Sequence, residues 1–89
     1  MKYVYMLRSI SCPAQRYVGV TSDLDARVKE HNAGRSPHTS KHVPWELVAA
    51  VLFEDDTRAV EFEGYLKSGS GRAFANRHFW PKVAGRPWR

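Results

Sequence analysis

The sequence predicts an α+β fold: a small three-stranded antiparallel sheet flanked by helices, in the order β-β-α-β-α-α. Three observations lead there. Two short alternating segments near the N-terminus are separated by a brief loop containing Pro13. Two later segments carry apolar residues at helical spacing, and a nearly continuous apolar run, WELVAAVLF, lies between them. At 89 residues, 43% of them apolar, the chain suits one domain with one modest core.

Residues 3–8, YVYMLR, read as the first strand, with Tyr3, Tyr5 and Leu7 on one face. The alternation reads as a strand and not as a signal peptide, and no window is long and apolar enough to span a membrane. Residues 16–20, RYVGV, form the second strand, which places Tyr17 and Gly19 on one face and Val18 and Val20 on the other. So short a connection predicts an antiparallel hairpin. The first helix is expected over 23–33, with Ser22 and Asp25 as a capping box and Gly34 just beyond its end. A polar loop, 34–44, is bounded by prolines at its end and within it. Residues 45–53 are apolar enough to be a central strand buried on both faces. Asp55, Asp56 and Thr57 offer caps for a second helix over 58–68, which the SGSG segment ends. RAFANRHF is a candidate third helix, so the domain is taken as 1–78 and a basic, aromatic tail as 79–89.

Charge is unevenly placed. The net charge is +5, yet the first 63 residues hold eight basic against nine acidic residues. Every one of the six charges after residue 63 is a cation. Such a segment suits a polyanion, or simply keeps the chain soluble. The lone Cys12 excludes an intrachain disulfide and a cysteine-based zinc site, and fits a reducing cytoplasm.

Both main helices share an anomaly. In the first, Leu24, Arg27, Val28 and His31 occupy the apolar stripe; in the second, Ala59, Phe62, Glu63 and Leu66 do, with Lys67 one turn after Glu63. Charges there are expensive unless paired, hydrogen-bonded or holding a metal. One reading is structural: an Arg27–Glu63 salt bridge between helices on one sheet face. The other is chemical. A lone carboxylate suits a hard divalent ion, an arginine grips phosphate, and a tyrosine near a cation accepts a proton. With Tyr5 and Tyr17 on neighbouring strands, and Gly19 opening the surface beside Tyr17, these groups suggest phosphodiester cleavage.

Tyr3-Val4-Tyr5, then Tyr17-Val18-Gly19, then Arg27 ten residues after Tyr17, resemble the GIY-YIG nucleases. So do the His31-Asn32 pair, Pro44-Trp45-Glu46-Leu47-Val48, and Glu63 and Lys67 followed by Ser68-Gly69-Ser70-Gly71-Arg72. The series is similar to the small, single-domain bacterial members, and to the nuclease module of the excision-repair endonuclease subunit. The first glycine of GIY is Tyr3 here, which bears on substrate access. The resemblance implies phosphodiester cleavage with one Mg²⁺ or Mn²⁺. It implies Glu63 as metal ligand, Arg27 on the scissile phosphate, Tyr17 as general base, Tyr5 assisting, and His31 lining the site. For His31, a surface or helix-dipole role is the competing expectation.

Other signals are weaker. His38 and His42 have i, i+4 spacing, but flanking prolines and a missing third ligand argue against zinc. Arg35 and Lys41 in the loop, and Lys67, Arg72 and Asn76 near the third helix, are candidate nucleic-acid contacts. The SGSG glycines read either as an anion-binding nest or as a helix end and turn. Phe79 and Trp80 are expected to cover the core, and Trp88, among Lys82, Arg86 and Arg89, to be an exposed contact. The expected protein is thus a divalent-metal-dependent endonuclease, acting on DNA more than RNA, in the cytoplasm, with a protein partner for targeting left open. A nucleic-acid-binding module that keeps the fold but cleaves little is the alternative.

Overall fold

The computed structural model describes residues 1–81. Its elements are β1 (Lys2–Ser9), β2 (Arg16–Thr21), α1 (Leu24–Asn32), a 3₁₀ turn (Ser40–His42), β3 (Trp45–Phe53), α2 (Asp56–Leu66) and α3 (Gly69–His78). The sheet order is β2-β1-β3, antiparallel throughout, so the expected α+β architecture and element order hold.

The central strand is β1, because the hairpin fixes β2 on one side and β3 closes on the other. Val4, Tyr5, Met6 and Leu7 are consecutive and all buried, the pattern of a strand covered on both faces. Burying each such side chain stabilises by roughly 1.5–3 kcal/mol. The apolar run of β3 therefore does not mark the centre. It is an edge strand, with Leu47 44% and Leu52 49% exposed. Composition cannot separate a buried strand from an apolar edge whose alternate residues face outward.

Period-two alternation along β1 sorts the core into two layers. Val4 and Met6 pack with Val18, Val20, Ala59 and Phe62, and with Leu66, Ala75, Phe79 and Trp80, under α2 and α3. Tyr5 and Leu7 pack on the opposite face with Tyr17, Leu24, Val28, Val43 and Trp45, under α1. Phe79 and Trp80 thus belong to the core as expected; Lys82, Arg86, Trp88 and Arg89 lie outside the described residues.

This layering rules out the structural reading, an Arg27–Glu63 bridge, since α1 and α2 cover opposite faces. Each charge pairs within its own helix: Arg27 with Glu30 at 2.8 Å, and Glu63 with Lys67. The caps also differ from expectation. Asp23, not Ser22, caps α1, its Oδ1 accepting from the Ala26 amide at 3.1 Å. Ser22 loses the role because Asp23 already occupies the extended N-cap position, where Thr21 Oγ1 accepts from its amide. Asp55 caps α2, which runs two residues earlier than expected at both ends. The SGSG segment is the first turn of α3, with Ser68 Oγ accepting from the Gly71 amide. Gly34 sits beyond α1 at φ 75°, the left-handed position that favours glycine.

Candidate active site

Four of the expected site residues meet on the α1 face. Tyr5 lies opposite Gly19 and Leu7 opposite Tyr17, so the two phenols project from adjacent strands, ring centroids 6.1 Å apart. His31, from the last turn of α1, packs at 4.9 Å from the Tyr17 ring and 5.7 Å from the Tyr5 ring. Arg27, one turn earlier on α1, sits beside both phenols.

Gly19 is essential to this arrangement, for a reason opposite to the expected one. It does not open a surface; it is buried beneath the Tyr5 phenol. A Cβ there would stand 2.6 Å from the Tyr5 oxygen and 2.9 Å from the Tyr17 ring. The glycine makes room for the phenols themselves.

His31 is fully buried, which excludes the surface role, and it lies in the last turn of α1. Its Nε2 is hydrogen-bonded to the Tyr5 hydroxyl at 2.8 Å and its Nδ1 to Thr39 Oγ1 at 2.7 Å. Burial and the Arg27 cation lower its pKa, against a smaller opposing effect of Glu30. Burial also pushes the Tyr5 phenol up to about 12, against a smaller pull from Arg27 beside it. At neutral pH both groups are therefore uncharged, and Tyr5 retains its proton as a donor. Arg27 is held more firmly protonated by Glu30. Thr39 was not singled out from sequence. Its polar loop shows no periodicity, and only the fold brings it under α1. The loop is pinned by Trp45 Nε1 donating to the Thr39 carbonyl at 2.9 Å, and the end of α1 by two hydrogen bonds between the Asn32 side chain and the Trp45 backbone.

Other expected residues gather around the β2 edge. A cleft of about 500 Å³ is lined by Tyr17 with Lys67, Arg72 and Asn76, and also by Arg16 and Trp80. Arg16 was missed because it precedes the tyrosine on the strand's other face and breaks no apolar stripe. Glu63 is joined to this cleft through Lys67, and its side chain is only 18% exposed. Arg35 and Lys41 are exposed in the loop beyond α1 and do not line the cleft. The structure thus forms two groups that share Tyr17: a phenol–imidazole–guanidinium cluster, and a cation-rich cleft.

A hard divalent ion requires oxygen ligands. Among the described residues no group of three His, Cys, Asp or Glu side chains converges. Glu63, beside the cleft, offers a half-buried carboxylate, a single hard oxygen ligand. That fits Mg²⁺ or Mn²⁺ completed by water and substrate oxygens, and does not fit an all-protein zinc cage.

A sheet that presents two tyrosines to a helix-borne arginine and histidine is the framework of a small catalytic domain. The model of the GIY-YIG catalytic domain matches residues 1–77, and the chain belongs to that family. The chain is 38% identical over 65 residues to the structure-specific endonuclease subunit slx1 of Talaromyces stipitatus; the match covers 66% of this chain but 17% of that protein. It is 37% identical over 68 residues to a UPF0213 protein of Natronomonas pharaonis, covering 74% of this chain and 76% of that one. The solution NMR structure of a UPF0213 protein from Bacillus halodurans superposes with a TM-score of 0.52 at 30% identity, covering 86% of this chain and 84% of that one.

Proposed function

We propose that the protein is a divalent-metal-dependent endonuclease that hydrolyses phosphodiester bonds in nucleic acid, DNA in preference to RNA. The observation that carries the reading is the cluster of Tyr5, Tyr17, Arg27 and His31, held over Gly19 at the sheet face. It puts a phenol beside a guanidinium, with a neutral imidazole and a protonated phenol behind. In this reading Tyr17, beside the Arg27 cation, takes a proton from the attacking water. Arg27 offsets the charge that develops on the phosphate oxygens as the P–O bond breaks. Tyr5, hydrogen-bonded to His31 Nε2, packs against the neighbouring phenol, and His31 stays neutral so that it adds no second cation. Glu63 would hold Mg²⁺ or Mn²⁺, which when bound acts as a Lewis acid toward the scissile phosphate. Lys67, Arg72 and Asn76 would carry flanking backbone, with Arg35 and Lys41 contacting it beyond α1. The Talaromyces relative is named as a subunit, and by extension a protein partner would deliver the substrate here, in the reducing cytoplasm that the lone cysteine fits.

A second reading has one observation in its favour. Lys67 already neutralises the Glu63 carboxylate, so a metal has to compete with that cation for it. A binding module with the nuclease fold but little cleavage would keep that pair. Single-turnover cleavage of labelled duplex and branched DNA in Mg²⁺, comparing wild type with Tyr17→Phe, tests the chemistry. A rate about 100-fold or more below wild type is expected, the range of a lost general base. An unchanged rate would remove Tyr17 from that role.

A further inference from the structure

We infer that Arg16 is a positioning residue that fixes the amide of Asn76, turning the cleft beside Tyr17 into a site for a phosphodiester group. The inference rests on the cleft being a substrate groove.

The geometry supplies the reason. Arg16 opens β2, and its guanidinium carbon lies 4.7 Å from the centroid of the Trp80 ring. Trp80 is itself packed into the core, so it forms a fixed platform. Stacked there, Arg16 reaches across to α3, and its Nη1 donates to Asn76 Oδ1 at 2.8 Å. A guanidinium has donors and no acceptor. The Asn76 atom that faces it must therefore be the oxygen. That contact resolves the two-fold ambiguity of an amide and leaves the Asn76 NH₂ group for the cleft.

The consequence is chemical. Arg16, Lys67 and Arg72 line the same cleft, and all three are donor-only groups. With Oδ1 occupied, Asn76 joins them as a donor. Among the described residues no carboxylate lines the cleft, and Lys67 is held there by Glu63 one turn earlier on α2. This concentration of donors and positive charge, in a cleft that Gln15 and Tyr17 also line, favours an anion with several acceptor oxygens, which is what a phosphodiester offers. Without that contact, nothing on the protein fixes which end of the Asn76 amide faces the cleft before the anion arrives.

The test uses the full chain and Arg16→Met, which keeps aliphatic cover over Trp80 and removes the donor. Melting temperature and Trp fluorescence check that the fold is retained. The first readout does not depend on cleavage. In EDTA, with a short single-stranded oligodeoxynucleotide, the Asn76 side-chain NH₂ resonances of ¹⁵N-labelled wild type should shift. In Arg16→Met that shift should be lost. The second readout is a double-mutant cycle in cleavage. Arg16→Met should lower kcat about tenfold, within the range of coupled neighbours, and should have almost no further effect when Asn76 is already alanine. An Asn76 shift that persists in Arg16→Met, or effects of the two substitutions that multiply, would overturn the inference. An Asn76 shift that depends on Arg16 in a wild type that does not cleave would sustain it while removing the nuclease reading.

Discussion

At the scale of single residues, the site is set by what fits above one glycine. The Gly19→Ala variant should lose at least tenfold in cleavage and about 1–3 kcal/mol in stability, the usual cost of overpacking, because the Tyr5 phenol and the Tyr17 ring both meet the added carbon. Denaturant titration beside an activity assay reads both. His31 adds a pH dependence whose sign follows from its lowered pKa. The unfolded chain binds a proton near the ordinary value of 6.5, and the folded chain resists it. The contribution of His31 is therefore complete above that value and is lost as pH falls through the lower, folded-state pKa. Urea midpoints from pH 7.5 to 5 should fall for wild type, and fall less for His31→Gln. At this scale Tyr5, Tyr17 and Arg27 could be read as neighbours from strand alternation and helical spacing. Thr39 and Arg16 could not, because loop placement and cross-edge contacts leave no periodic trace.

At the scale of elements, the helices owe their places to close approaches more than to propensity. A Cβ on Gly71 would fall 1.7 Å from the Tyr65 carbonyl oxygen, so α3 can lie against the end of α2 only with glycine there. Gly71→Ala should shift α3, loosen Ala75 and Trp80, and lower the melting temperature far more than Ser68→Ala. The latter removes only an N-cap worth about 1 kcal/mol. Thermal melts followed by tryptophan fluorescence would rank the two. Element order and strand faces were legible because period-two alternation in β1 and β2 is strong. The exchange of centre and edge between β1 and β3 was not, since an apolar run looks the same in either position. Opposite placement of α1 and α2 was likewise hidden, and it alone decides whether Arg27 and Glu63 can meet.

At the scale of the molecule, charge and chemistry divide between two regions that share Tyr17. The phenol–histidine–arginine cluster lies under α1, and the donor-lined cleft follows the β2 edge toward α3. Binding should therefore weaken steeply with salt, and Arg72→Ala should reduce the slope of log K against log salt by about one while leaving the Tyr5–His31 cluster intact. Glu63 stands at the join through Lys67. That pair is an i, i+4 contact with the lysine 53% exposed, worth only about 0.3–0.5 kcal/mol, so losing it should scarcely affect folding.

The most direct measurement is cleavage by wild type and Glu63→Ala in Mg²⁺ and in Mn²⁺, with melting temperatures recorded on the same samples. The substrates would be single-stranded, duplex, flapped and branched DNA, together with RNA. The expected result is metal-dependent cleavage by wild type, strongest on DNA, abolished in the variant with its melting temperature retained. Undiminished cleavage by Glu63→Ala, or salt-sensitive binding without any wild-type cleavage, would contradict it.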